Sequence, residues 1–381
     1  MRFDTRLIHA GQPTDPLTGA VNPPIYLSST FRQSAPNRNR GYVYSRSANP
    51  TRHVLEEALA QIESGSAGLA FSSGLGALAT LLEAFPTGSR IVSVDDLYGG
   101  TWRLFEHHRK QFGVRVDYVD MTDPRRVADA LRAGKTDLVY LETPTNPLLR
   151  LVDIRAVARL GHRAGAAVAV DNTFASPANQ RPLELGADIV LHSTTKYLGG
   201  HSDIIGGALV LRRAGDVERY AWLQNAVGAV PSPFDCFLVL RGLHTLGVRM
   251  RAHERSARAV SEVLEGHRKV RAAFYPGLAG HSQHALARRQ MEGFGGIVSF
   301  DIAGGRRSAL RFLRGLRVFT LAESLGGVES LVDHPASMTH ASVPRKEREA
   351  HGVTDGLLRL SCGIEDPADL ADDVRQALRS A

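Results

Sequence analysis

Lysine is scarce in this chain: against a positive charge carried almost wholly by arginine, only Lys110, Lys135, Lys196, Lys269 and Lys346 are present. Lys196 stands apart, because it follows an apolar run and a hydroxyl cluster in Ile189-Val190-Leu191-His192-Ser193-Thr194-Thr195-Lys196. An amine in such company suits covalent or base chemistry, since desolvation favours its neutral form. Asp171 closes an Ala and Val run and is a carboxylate that is costly to bury without a cationic partner. Ser73-Gly74-Leu75 offers backbone N–H groups at a helix start, where anions are favoured, and Ser193 and Thr195 add hydroxyl donors beside the lysine. Tyr98 is a flat partner for a ring, and Arg359 carries the guanidinium fork that grips a carboxylate. Taken singly, each has an ordinary reading: Lys196 a solvated charge, Asp171 a helix cap, Ser73-Gly74 a tight turn, Tyr98 a core aromatic, Arg359 half of a surface ion pair with Asp355 or Glu365.

The elements around these residues decide between the readings. Short apolar runs at Gly68–Phe71, Arg90–Val94, Val114–Val119, Asp137–Leu141, Ala166–Val170, Asp188–Leu191 and Ile204–Leu211 mostly alternate with helical patterns such as Ile154–Ala164. That alternation predicts an α/β fold with a largely parallel sheet buried on both faces, whose ligands gather at the carboxyl ends of the strands. The strand ends are all polar: Ser72-Ser73-Gly74, Asp95-Asp96-Leu97-Tyr98, Glu142-Thr143-Pro144-Thr145-Asn146, Asp171-Asn172-Thr173 and Ser193-Thr194-Thr195-Lys196. Unrelated ordinary roles would not fall together at successive ends of one sheet. Asn49-Pro50-Thr51 begins a helix, with Asn49 as its cap and Leu55, Ala58, Leu59 and Ile62 at helical spacing. Residues 1–48, rich in Pro, Asn, Gly, Ser and Thr, read as an arm; residues 49–245 form the main domain and 246–381 a smaller α+β domain.

One cofactor uses every set. Pyridoxal 5'-phosphate needs a lysine amine, an acid for its pyridinium nitrogen, a flat partner for its ring and an anion site for its phosphate. The competing pattern, Gly74-x-Gly76-x-x-Ala79 with Asp95 about twenty residues on, matches a dinucleotide-binding turn but leaves Lys196, Asp171 and Tyr98 without a task. It predicts a nicotinamide-dependent oxidoreductase indifferent to Lys196→Ala.

Composition narrows the remaining classes. The net charge of +7 comes from arginines interleaved with acids, which argues against a nucleic-acid partner and a non-catalytic basic binding protein. Cys236 and Cys362 fit no metal or disulfide pattern, so no metal site is expected and both read as reduced structural thiols. No apolar run is long enough to span a membrane and Met1 opens onto Arg2, Asp4 and Arg6, so no membrane association is expected and the cytoplasm is the expected place.

From Val21-Asn22-Pro23-Pro24-Ile25 through Tyr44-Ser45-Arg46-Ser47-Ala48-Asn49-Pro50-Thr51 to Arg359-Leu360-Ser361-Cys362-Gly363-Ile364-Glu365-Asp366, the chain resembles the pyridoxal-phosphate enzymes of cysteine and methionine metabolism, the cystathionine γ-lyase and γ-synthase group. The resemblance implies an aspartate-aminotransferase-like fold in which Lys196 forms the Schiff base and Asp171 holds the pyridine nitrogen. It further implies that Tyr98 stacks on the ring, that Gly74, Leu75, Ser193 and Thr195 bind the phosphate, and that Ser73 and Thr173 stand with them as cofactor-binding residues. By the same resemblance Tyr44 and Arg46 reach the phosphate of a neighbouring subunit in a homotetramer, while Asn146, Ser324 and Arg359 hold the cofactor's phenolic side and the substrate carboxylate. Arg103 is a candidate for a distal carboxylate, and Trp102 borders the mouth of the site.

The implied reaction is elimination of a sulfur leaving group from Cγ of L-cystathionine, giving cysteine, 2-oxobutanoate and ammonia, with Lys196 moving the Cα proton and Tyr98 a proton donor to the departing thiolate. The alternative is a γ-synthase that builds cystathionine from an activated homoserine and cysteine; Leu223 to Pro233 looks more like the lyases. Gly100 stands where methionine γ-lyases carry cysteine, which argues against methionine as the main substrate, and Glu323 stands where β-lyases of the family carry an aromatic residue, which favours γ-chemistry.

Overall fold

The computed structural model describes residues 1–12, 14–341 and 343–381. Its larger sheet has seven strands, β1 (Ala67–Phe71), β2 (Arg90–Val94), β3 (Arg115–Val119), β4 (Leu138–Glu142), β5 (Ala167–Asp171), β6 (Ile189–His192) and β7 (Gly207–Leu211), in the order β1-β7-β6-β5-β4-β2-β3. β2 with β3, β2 with β4, β4 with β5 and β5 with β6 pair in parallel. β7 runs antiparallel to both β6 and β1, so the sheet expected to be largely parallel is mixed at that one strand. The ends of β1, β2, β4, β5 and β6 therefore open on one edge. Their Val, Ile and Leu residues are buried along nearly their whole length, as helices covering both faces require.

Local chemistry sets the helices that follow those ends. Asn49 accepts hydrogen bonds from the amides of Thr51 and Arg52 and Pro50 opens helix Pro50–Ile62, which buries Leu55, Ala58, Leu59 and Ile62 as its spacing predicts. Ser73 caps helix Gly74–Leu82 through the amide of Gly76. Helix Gly99–Phe112 begins directly after Tyr98 and stops at Gly113, whose φ of 64° suits the left-handed end of a helix.

The second sheet joins β8 (Val270–Phe274), β9 (Ile297–Ile302), β10 (Thr320–Leu321), β11 (Leu331–Asp333) and β12 (Leu357–Ser361) in the order β10-β11-β12-β9-β8. Its pairings are antiparallel apart from β10 with β11, and its core includes Phe300 edge-on to Phe312 at 5.2 Å. Helix Leu246–Leu264 places Leu246 and Met250 in the larger core and Ala257, Val260 and Leu264 in the smaller, so one rigid rod ties the two cores together.

The first residues are not all arm. Helix Phe3–His9 sends Leu7 into the larger core, where an arm without periodicity was expected. One buried leucine in seven residues leaves too little pattern to signal a helix. From Val21 to Ser47 most residues are exposed, tied by a bridge between Thr30 and Tyr44. Cys236 and Cys362 are free and buried, and no helix among the described residues is long and apolar enough to cross a membrane.

Candidate active site

A cavity of about 260 Å³ lies at the sheet edge where the parallel strands end. The structure brings to its walls Ser73, Gly74, Leu75, Tyr98, Asn146, Asp171, Thr173, Ser193, Thr195 and Lys196 from the larger sheet's side, and Glu323, Ser324 and Arg359 from the smaller sheet's side.

Lys196 sits in the turn after β6, its amide bonded to the carbonyl of Ser193 and its Nζ donating to Ser324 Oγ at 2.7 Å. Burial, then the nearby Arg359 guanidinium, hold the amine down to about 8, against the pull of Glu323 and Asp333. Ser324 holds φ at 97°, a left-handed conformation costly for a residue with a Cβ and typical of sites where geometry outweighs strain.

Asp171, the last residue of β5, accepts from the amide of Thr173 at 3.0 Å and from the hydroxyl of Tyr140 at 3.3 Å. Its register partner on β4 is Glu142, a second buried carboxyl on the same strand ends. Burial raises Asp171, and burial together with the Asp171 charge raises Glu142 well above the carboxylate range. Two carboxyls side by side cannot both ionise cheaply, so the pair calls for a cation at its open side. Glu142 itself accepts the amide of Tyr98 at 3.0 Å.

The anion cradle is built from backbone. The amides of Gly74 and Leu75, first of their helix, have no intrahelical acceptor, and Ser193 lies across from them. A Cβ at Gly74 would meet Ser193 Cβ at 3.0 Å, and one at Gly207 would meet Ser73 O at 2.2 Å, so β7 closes against the turn only as glycine. Ser193 donates its amide to Thr173 Oγ1 at 2.9 Å, and Thr195 Oγ1 accepts the amide of Gly206 at 3.0 Å, which fixes the loop that carries the lysine. Amides at a helix start, hydroxyls, a depressed lysine and a buried carboxylate pair form the donor set that pyridoxal phosphate requires, so the residues present fit that group.

Arg359 lies 2% exposed on β12, opposite Asp333 in the β11–β12 register, and forms an ion pair with it. Its Nη1 donates to Asn146 Oδ1 at 2.8 Å and its Nη2 to Ser324 O at 3.2 Å, while Nε is buried without a partner among the described residues. The surface pairing with Asp355 or Glu365 is thus replaced by a buried one: Asp355 pairs with Arg345 and Arg348, and Glu365 accepts from Ser330.

Other expected residues lie elsewhere. Tyr44 is half-exposed, and Arg46 Nη1 donates to the carbonyl of Asn225 at 2.8 Å; both line a separate cleft. Arg103 is exposed on helix Gly99–Phe112, outside the cavity wall. Trp102 lines a neighbouring cavity rather than the mouth of this one, because one step along the helix turns it about 100° away from Thr101, which does line the site. Asp95, the acid of the dinucleotide pattern, faces Arg150 and His351. Sequence reasoning missed Glu142, Asp333, Phe174 and Thr339 as members of the site. Glu142 alone carried a signal, as the first residue of a polar strand end.

Comparison with known proteins agrees with this geometry. A family model described as Cys/Met metabolism PLP-dependent enzyme matches residues 4–379. The chain is 50% identical over 381 residues to a cystathionine β-lyase of Coxiella burnetii (99% of this chain, 97% of that one). It is also 50% identical over 378 residues to a cystathionine γ-lyase of Dictyostelium discoideum, again covering 99% and 97%. The crystal structure of a cystathionine γ-synthase from Xanthomonas oryzae pv. oryzae in complex with aminoacrylate and cysteine superposes with a TM-score of 0.97 at 50% identity, covering 100% of this chain and 98% of that one.

Proposed function

The chain belongs to the Cys/Met metabolism PLP-dependent enzymes, and from that premise we propose that it cleaves L-cystathionine by γ-elimination to cysteine, 2-oxobutanoate and ammonia. Bound pyridoxal phosphate supplies a carbon that condenses with the substrate's amino group and a ring that takes up the electron pair left by a broken C–H bond. Asp171 would hold the ring nitrogen, Asn146 the phenolic side and Tyr98 the ring face; Ser73, Gly74, Leu75, Thr173, Ser193 and Thr195 would surround the phosphate.

The chain's own groups then do the rest. Arg359, fixed by Asp333 and Asn146, receives the substrate carboxylate and sets which Cα–H bond faces Lys196. Lys196, its amine lowered to about 8, is a base in its neutral form and a donor once it carries the proton. Tyr98, on the same wall, would protonate the departing sulfur.

The observation that favours cystathionine as the substrate is Glu323, an exposed acid on the cavity wall next to Ser324. The distal half of cystathionine bears an ammonium beside its carboxylate, and this acid complements the ammonium, whereas a succinyl leaving group offers only a carboxylate; the choice of the γ over the β bond rests on the family resemblance at Glu323. A second reading, γ-replacement of an activated homoserine by cysteine, is supported by the 50% identity to the Xanthomonas γ-synthase. The test is product analysis of the holoenzyme. Cysteine with 2-oxobutanoate from cystathionine is expected. Homocysteine with pyruvate would move the assignment to β-elimination. Cystathionine formed from acylated homoserine and cysteine, without turnover of cystathionine alone, would move it to the synthase.

Shared sites are part of this proposal. Lys196 and Arg359 are the cations among the described residues of the cavity wall, and this reading assigns one to the base and the other to the substrate carboxylate, so a phosphate in the cradle would have no arginine of its own on that wall. Arg46 and Tyr44 of a neighbouring subunit would complete it, in a homotetramer of dimers. Two buried free cysteines suit a reducing cytoplasm.

A further inference from the structure

Glu142 has no role in the chemistry above, yet it is buried on the cavity wall at the end of β4. Its Oε2 accepts the amide of Tyr98 at 3.0 Å, across 44 residues of sequence. Tyr98 is the residue just before helix Gly99–Phe112, and its own side chain caps nothing. An amide there has no acceptor within the helix, so the Glu142 carboxyl serves in place of a local cap. The ring of Tyr98 packs over Gly100, where a Cβ would lie 2.3 Å from Tyr98 Cε1, and the chain beside it runs close to Thr339, whose carbonyl oxygen a Cβ at Gly99 would meet at 2.4 Å. The backbone at Tyr98 is thus pinned at its nitrogen and packed without slack on its following two residues.

We infer that Glu142 is a positioning residue, which holds the Tyr98 backbone so that the aromatic ring faces the cofactor site at the distance stacking needs. The inference rests on the ring-stacking role proposed for Tyr98. The contact requires an acceptor oxygen and no charge. Asp171, the register neighbour of Glu142, is the carboxylate proposed to meet a cationic ring nitrogen, while burial and the Asp171 charge raise Glu142, whose Oε2 accepts the Tyr98 amide.

The test is a double-mutant cycle on cofactor binding, read by titrating pyridoxal phosphate into each apo-protein and following the visible band. Tyr98→Ala and Glu142→Ala should each weaken binding about five- to tenfold, the range that a lost aromatic stack commands. The double variant should be no weaker than Tyr98→Ala, since Glu142 acts through the ring. Glu142→Gln, which keeps the acceptor oxygen and the volume, should retain wild-type affinity within about threefold. Additive losses in the double variant would make Glu142 a merely structural residue and overturn the inference, as would a Glu142→Gln protein as weak as Glu142→Ala. If Tyr98→Ala is weakened and Glu142→Ala is not, the inference alone fails. If Tyr98→Ala binds like the wild type, the stacking reading fails and takes the inference with it.

Discussion

The amine of Lys196 and the hydroxyl of Ser324 meet at 2.7 Å although 128 residues separate them in sequence. Each comes from a different sheet's side of the cavity, so the contact exists only when the two parts of the chain are docked. Ser324 is in turn tied down by the donation of Arg359 Nη2 to its carbonyl. Lys196, the strained Ser324 and Arg359 therefore form one connected unit.

Ser324→Ala removes the hydroxyl that orients the amine while leaving the backbone carbonyl for Arg359. The expected result is a fall in kcat of about tenfold, with cofactor content unchanged, because a misplaced base loses its near-attack geometry. Steady-state kinetics with the cofactor content measured on the same sample would check it. An unchanged kcat would separate the hydroxyl from the function of Lys196.

The acid limb of the rate should report Lys196. Its amine is active as a base when neutral, so activity falls as pH drops through the value near 8 that burial and Arg359 impose. Glu323 raises that value by favouring the ammonium. Glu323→Gln removes this pull, so the limb in kcat should move to lower pH. A limb that stays in place, or moves up, contradicts the electrostatic account of the lysine.

Asp188 offers a stability test away from the site. Burial opposes its ionisation, yet Arg213, His162, the Val168 amide and Arg212 hold it below its ordinary 3.8. A depressed carboxylate contributes stability above its unfolded pKa and loses it as pH falls through the folded one. Asp188→Ala should cost about 3 kcal/mol in urea unfolding at about pH 7, and the gap to the wild type should narrow by about pH 3. A constant gap would mean that the loss is packing alone.

Much of this site is legible in the sequence, and the reasons are local. Asn49-Pro50, Ser73-Gly74 and the polar residues closing each apolar run advertise caps and strand ends through short-range chemistry, which survives folding unchanged. The pairing of Arg359 with Asp333 is not legible there, because it depends on which residues of β11 and β12 fall opposite each other. The same holds for Glu142, whose partner is a backbone amide that no side-chain pattern reveals. β8 escapes sequence reasoning because its residues Val270–Phe274 are only partly buried and show no apolar alternation, and β10 is two exposed residues long. Arg103 and Trp102 miss the site for a rotational reason: their helix begins at the cavity, but its turn carries them away from the wall.

Shared active sites have a genetic form of test. In the proposed arrangement an Arg46→Ala chain would lack the arm's contribution to its neighbour, and a Lys196→Ala chain the amine in its own cavity. Mixed and reassembled, the two inactive proteins should recover up to about a quarter of wild-type activity, the share expected when one random pairing restores one intact site. No recovery, with mixed oligomers demonstrated by mass, would confine Arg46 to its own subunit.

The most direct test of the central claim is reduction of the purified, yellow holoenzyme with borohydride, followed by peptide mapping. The account predicts that the visible band disappears and that the reduced cofactor is found on Lys196 alone. A colourless protein that stays unlabelled with added pyridoxal phosphate, or a label on any of the other four lysines, would contradict it.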